Sequence, residues 1–225
     1  MKKKKLKGIK TVIWDCDGTI WEHVEYEAQI VTDVLQIPLT KEFEEQYFET
    51  IKNFMSFFRK RKMTQENVER VVQKHMPILE KYGISTKEFV DRWIKIETSV
   101  LINGAYETIK YLNESGIRNI VLSDMLQEKQ ELLLENYGLK EFMQKIYTSQ
   151  DYYIKARKVA TARIVTKGRE KEYIIIGDSC ESDIAFASNA GIRSIWFNPN
   201  GKENKTKYKP TREIKKLEEV IQIIL

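Results

Sequence analysis

The sequence predicts an α/β protein, a parallel sheet whose strands alternate with helices, with a helical bundle inserted after the first strand. Three observations lead there. Short β-rich runs separated by helical patterns recur through residues 117–197, an order that gives parallel pairing and helices on both faces. A similar run, residues 9–14, stands alone near the start and ends abruptly at Asp15. Between the two lie roughly eighty residues with helical periodicity and no strand signal.

Each element follows from its pattern. Residues 9–14 (Ile-Lys-Thr-Val-Ile-Trp) make the first strand. In the inserted region Phe43, Tyr47, Ile51, Phe54 and Phe58 recur at helical spacing, as do Val68, Val71, Val72, His75 and Met76, and then Phe89, Trp93 and Ile96. Pro38, Pro77 and Gly83 divide these helices. The aromatic stripes are simplest as the core of that bundle. Beyond it, helices around 105–115, 127–137, 157–167 and 183–190 alternate with strands at 119–122, 145–148, 173–176 and 194–197. A last amphipathic helix is expected to carry Ile214, Leu217, Ile221 and Ile224 on one stripe.

Composition narrows the function classes. The 225 residues include 38 basic and 33 acidic side chains and are 42% hydrophobic, a globular balance. The net charge of +5 comes from the first ten residues, where Lys2, Lys3, Lys4, Lys5, Lys7 and Lys10 cluster; without them the remainder is at −1. Nucleic-acid binding needs positive charge spread over a folded face, so the distribution argues against it. Cys16 and Cys180 are too few for a disulfide framework or a zinc site. No apolar run long enough for a signal segment or a membrane span is present, and a cytoplasmic protein with reduced thiols is expected.

The chemistry-bearing residues sit at strand ends. In parallel α/β sheets ligands bind outside the carboxyl ends of the strands. The first strand runs into Asp15-Cys16-Asp17-Gly18-Thr19, the second ends at Ser123-Asp124, and the fourth at Gly177-Asp178-Ser179, with Asp183 five residues after Asp178. Lys155 and Lys158 follow the third. Carboxylates gathered this closely repel one another unless a cation offsets them. The set suits magnesium-assisted phosphoryl transfer, in which hard oxygens hold Mg²⁺ and a carboxylate attacks phosphorus.

These motifs, in this order over nearly the whole chain, resemble those of haloacid dehalogenase-type phosphatases. The resemblance implies a Rossmann-like parallel sheet core (residues 1–20 and 101–225) with an inserted α-helical cap domain (residues 21–100). It implies Asp15 as nucleophile and metal ligand. Asp17 would be the general acid and base and bind metal through its carbonyl. Thr19 and Ser123 would hold phosphate oxygens, and Asp178 and Asp183 would be metal ligands or orient the metal's waters. Lys155 is assigned as the motif lysine over Lys158 because its distance from Ser149 and Asp178 fits better. Two departures stand out: the family's usual Lys-Pro pair is absent, and Asp124 follows Ser123 where an amide is frequent. Within the family a carboxylic acid at Asp17 favours a phosphatase or phosphomutase over dehalogenases and ion pumps. The expected activity is Mg²⁺-dependent hydrolysis of a small phosphorylated metabolite. Alternatives are a phosphomutase and, in another class, a nucleic-acid end-processing or binding protein using the lysine tail and the run Arg59, Lys60, Arg61, Lys62.

Several residues have plainer readings. Asp183 could cap the helix that follows it. Cys16 is expected to face away from the pocket, whereas Cys180, in a loop, is expected to be partly exposed and thiol-reactive. His75 continues an apolar stripe. His23 either lines the pocket or sits in a solvated linker.

Overall fold

The computed structural model describes residues 5–58, 62–150 and 159–225. Its centre is β1 (Thr11–Trp14), paired in parallel with β4 (Arg118–Leu122) on one side and β6 (Tyr173–Gly177) on the other. β5 (Met143–Tyr147) continues the parallel sheet beyond β4, and β7 (Arg193–Phe197) and β8 (Arg212–Ile214) continue it beyond β6. Every residue of β1 and β6 is buried, the signature of parallel strands covered on both faces.

Strand alternation divides the core. Val12, Trp14, Ile174 and Ile176 face one layer with α6 (Ala105–Glu114), α7 (Gln127–Asn136) and α10 (Glu219–Ile224). Ile13 and Ile175 face the other, with α8 (Val159–Thr166) and α9 (Ala185–Ala190). Within the first layer buried Asn119 ties β1 to α6 without an unpaired group: its Oδ1 accepts from Trp14 Nε1 at 3.0 Å and its Nδ2 donates to Ile109 O at 3.1 Å.

The inserted region is helical: α1 (Glu27–Leu35), α2 (Lys41–Phe58), α3 (Gln65–His75), the single turn α4 (Ile78–Lys81) and α5 (Thr86–Lys95). Thr64 and Ser85 cap α3 and α5, accepting from Asn67 N and Glu88 N. The predicted stripes are its interior. Phe43, Tyr47, Phe54, Val68, Val72, Phe89 and Trp93 are buried in one cluster, joined from the sheet side by Leu126. His75 lies at the edge of that cluster, half-buried, with Nδ1 3.7 Å from Glu49.

Three differences from the sequence expectation have physical causes. The chain enters and leaves the helical unit through a two-stranded antiparallel ribbon, β2 (Trp21–His23) with β3 (Ser99–Leu101). Three-residue strands carry no periodicity of their own and depend on each other for pairing. Ile214 belongs to edge strand β8, and the last helix begins only at Glu219; the spacing of Ile214, Leu217, Ile221 and Ile224 imitates a helical stripe across a strand, a turn and a helix. α9 starts at Ala185, after a wide helical turn, Cys180–Ile184.

Candidate active site

The register of β1 sets the site. Trp14 stands level with Val121 and Ile176, so Asp15 leaves the sheet where its neighbours also end. Asp15 N still donates to Ile176 O at 3.0 Å. Past β6, Gly177 leads to Asp178, and the wide turn Cys180–Ile184 folds Asp183 back beneath it. Carboxylate oxygens of Asp15, Asp178 and Asp183 all lie within 4.8 Å of one another.

Two glycines make this approach possible. At Gly177 an added Cβ would stand 2.6 Å from Asp183 Cβ and closer still to its carboxyl carbon. At Gly18, whose φ is +83°, it would stand 2.7 Å from the carboxyl carbon of Asp178. Both carboxylates therefore rest on backbone that only glycine leaves open. Asp183 is fully buried, with Oδ2 accepting from Ser179 N at 3.1 Å. Ser179 caps this turn, its Oγ accepting from Ser182 N, and Asp183 reaches back to the Ser179 N–H, so the two form a reciprocal cap in which Asp183 also faces Asp15 and Asp178. Burial, reinforced by the nearby Asp17 charge, holds the Asp178 carboxyl above its ordinary range. Three converging hard-oxygen donors of this kind match what a small divalent cation requires.

Asp17 is near this cluster but its carboxylate engages other groups. Trp21 Nε1 donates to Oδ1 at 3.0 Å, His23 Nε2 lies 3.3 Å from the same oxygen, and Gln130 Nε2 donates to Oδ2 at 3.4 Å. Thr19 is fully buried, and its Oγ1 has no hydrogen-bond partner among the described residues. Ser123 is buried at the end of β4, its Oγ accepting from Met125 N at 3.2 Å. Asp124 is half-buried and outside the three-carboxylate cluster; its carbonyl accepts from Ser149 Oγ at 2.8 Å. Lys155, its alternative Lys158, and Arg59, Lys60 and Arg61 lie outside the described residues. A cavity of about 630 Å³ opens beside Gly18 and Asp178 on the β7 side, with Asn198 and Lys202 in its wall.

The thiols divide differently from expectation. Cys16 is buried in the core, facing away from the site as expected. Cys180 is also buried, packed with Ile184 and Trp196, and burial pushes its thiol up to about 11. The expectation of a partly exposed, reactive Cys180 is corrected by this packing: the turn that delivers Asp183 also carries Cys180 inward.

Four further residues of the site were not singled out by motif. Trp21 and His23 on β2 and Gln130 on α7 surround Asp17. Beside them Lys129, 1% exposed, donates to Trp93 O at 3.1 Å and Ile96 O at 3.0 Å and lies 4.6 Å from the Trp93 ring centre. Burial lowers Lys129 to about 8 against the opposing pull of Glu27 and Asp17. The signal was available in part: Leu126, Lys129, Gln130, Leu133 and Leu134 form one inward helical face, on which a lysine and a glutamine replace apolar residues. His23 is exposed but turned towards Asp17 rather than free in a linker, and hydrogen bonding to Asp17 raises its pKa against the opposing effect of burial.

A parallel sheet with carboxylates massed at the ends of adjoining central strands defines an α/β enzyme site. Comparison with known proteins specifies it. The chain belongs to the haloacid dehalogenase-like hydrolases, whose family pattern matches residues 12–197. It is 28% identical to the HAD-hydrolase YfnB of Bacillus subtilis (strain 168), over 97% of both chains. The crystal structure of YfnB, bound to magnesium and described as revealing interdomain movement, superposes with a TM-score of 0.71 at 25% identity, covering 97% of this chain and 99% of that one. A ribulose-1,5-bisphosphate 5-phosphatase of Halopiger xanaduensis is 26% identical over 49% of this chain and 48% of its own. The 2-haloacid dehalogenase of Pseudomonas syringae shares the fold, with a TM-score of 0.68 at 21% identity, covering 96% of this chain and 97% of that one. No helix among the described residues is long and apolar enough to cross a membrane.

Proposed function

We propose that this hydrolase is a Mg²⁺-dependent phosphatase acting on a small phosphorylated metabolite through an aspartyl-phosphate on Asp15. The observation that carries the reading is the convergence of Asp15, Asp178 and Asp183 within 4.8 Å. Hydrolysis of a carbon–halogen bond has no use for a cation there, whereas phosphoryl transfer has one. Asp15, Asp178 and Asp183, with the Asp17 carbonyl, would hold Mg²⁺. Bound there, the cation would offset the charge of carboxylates and phosphate together.

In the first step an Asp15 oxygen attacks phosphorus, the bond to the leaving oxygen breaks, and Asp17 gives that oxygen its proton. In the second, Asp17 takes a proton from water, the water oxygen attacks phosphorus, and the Asp15–phosphorus bond breaks to release phosphate. Thr19, with a buried hydroxyl that no described protein group satisfies, and Ser123 would bind phosphate oxygens. Lys155 remains the motif lysine by resemblance. The helical unit would act as a cap on the ribbon β2–β3, excluding water during the transfer, with core and cap divided near residues 20 and 100. The ribulose-bisphosphate phosphatase relative and the interdomain movement of YfnB support this reading. A cytoplasmic location fits a metabolite substrate.

The test is hydrolysis of p-nitrophenyl phosphate with and without Mg²⁺. Activity should require the cation and vanish in Asp15→Asn and Asp17→Asn with unchanged circular dichroism. Undiminished turnover in Asp15→Asn removes the nucleophile assignment. A phosphoenzyme that persists in water until a sugar phosphate is added would identify a phosphomutase instead.

A further inference from the structure

Asp17 is held by side chains that lie outside all four sequence motifs. Its Oδ1 faces two donors, the Trp21 indole at 3.0 Å and the His23 imidazole at 3.3 Å. Among the described residues its Oδ2 has only the long 3.4 Å contact from Gln130, a residue 1% exposed whose own Oε1 has no partner there. The two carboxylate oxygens are thus unequal, one accepting from the Trp21 N–H with the His23 imidazole beside it and the other lightly held.

His23 is itself braced from behind. Its Nδ1 lies 3.9 Å from Glu27 Oε2, and Glu27 is fixed by the Tyr47 hydroxyl at 2.7 Å and the Thr98 hydroxyl at 2.9 Å, both donating to Oε1. Trp93 Nε1 donates in turn to the Tyr47 oxygen at 3.2 Å. Glu27 begins α1, Tyr47 is in α2 and Trp93 in α5, so the imidazole stands between the site and the buried polar centre of the helical unit.

We propose that His23 is a positioning residue for the phosphatase reaction: braced by Glu27, it occupies Asp17 Oδ1 so that Oδ2 exchanges the proton with the leaving group and with water. The inference rests on the phosphatase reading. A carboxylate turns readily about its last torsion, and a proton donor out of place by about 1 Å can cost on the order of 10²-fold in rate. Hydrogen bonds to a charged acceptor are strong enough to choose one orientation.

The experiment compares kcat/KM for two aryl phosphates of similar shape in Mg²⁺. p-Nitrophenolate leaves with little protonation, whereas phenolate needs its proton. His23→Leu should lose roughly tenfold more on phenyl phosphate than on p-nitrophenyl phosphate, a selective loss because general acid catalysis is worth about 10²–10⁴-fold where it is needed. His23→Gln, whose amide can return an N–H to Asp17 Oδ1, should recover most of the difference. Equal losses on both substrates, no loss, or a glutamine variant as impaired as the leucine one overturns the proposal. Wild-type protein that hydrolyses neither ester overturns the phosphatase reading and this inference with it, an outcome distinct from an active wild type with unselective variants.

Discussion

The sheet and the helical unit both bury polar groups, and they do so to opposite ends. In the helical unit Glu27 is 7% exposed, yet two hydroxyls donate to its Oε1 and Trp93 supports one of them. Lys129 closes the same region from α7, capping the Trp93 and Ile96 carbonyls at the end of α5. At the carboxyl ends of β1 and β6, three carboxylates instead crowd together, and the buried Thr19 hydroxyl has no partner among the described residues. A polar group satisfied within the protein supports the fold, while like charges brought close together cost energy that a cation would offset. His23 touches both regions, which makes it the natural link between them.

The largest effects are expected at the carboxylate cluster. Asp183→Asn should weaken Mg²⁺ binding by at least about 10–100-fold, the range seen when groups that orient a metal are lost. Gly177→Ala should match it by forcing Asp183 aside, although the alanine variant removes no ligand. Isothermal titration with Mg²⁺ alone reads both; unchanged affinity in either would show that the cluster is not a cation site.

Next in size is Lys129. Below about pH 8 it is charged in folded and unfolded chains alike. Between about 8 and the ordinary lysine value near 10.4, the folded protein binds fewer protons than the unfolded one, so stability rises with pH. Wild type should therefore gain roughly 2–3 kcal/mol over Lys129→Met between pH 7 and 10, measured by urea unfolding at each pH. A difference that stays flat would place Lys129 in water rather than in the seam.

Smaller again, Tyr47→Phe removes the donor to Glu27 and should cost about 1–3 kcal/mol in the same assay. A neutral result would mean that Glu27 is not held as described. The least effect is expected at the thiols. Cys16 and Cys180 should both resist iodoacetamide at neutral pH until the protein unfolds, as read by intact mass. Rapid labelling of Cys180 would show the turn before Asp183 to be open.

What the sequence disclosed follows from where the information resides. β1, β4, β6 and β7 were legible because buried parallel strands are runs of apolar residues, and Asp15, Asp178 and Ser123 because each terminates such a run. Edge strand β5 has no buried residue and was legible only from its place between two helical patterns. β2, β3 and β8 were hidden because three residues cannot show a period and their pairing is a tertiary event. Asp183 was ambiguous, since a carboxylate near a helix start is ordinary; in the fold it is buried over Gly177, reaches back to the cap residue Ser179 and faces Asp15 and Asp178 at once. Trp21, His23 and Gln130 became site residues through the path of the ribbon and the rotation of α7, neither of which is written in any motif. The inward burial of Cys180 arises likewise from the shape of one turn.

If Asp15 carries the phosphoryl group, a rapid acid quench will trap it there. Protein mixed with Mg²⁺ and a phosphate-radiolabelled substrate ester, quenched during turnover, should retain label that hydroxylamine releases, as an acyl phosphate does. Asp15→Asn should retain none, and Asp17→Asn should not remove the attachment site. Turnover without protein-bound label at any quench time, or label undiminished in Asp15→Asn, would show that Asp15 is not the phosphoryl carrier.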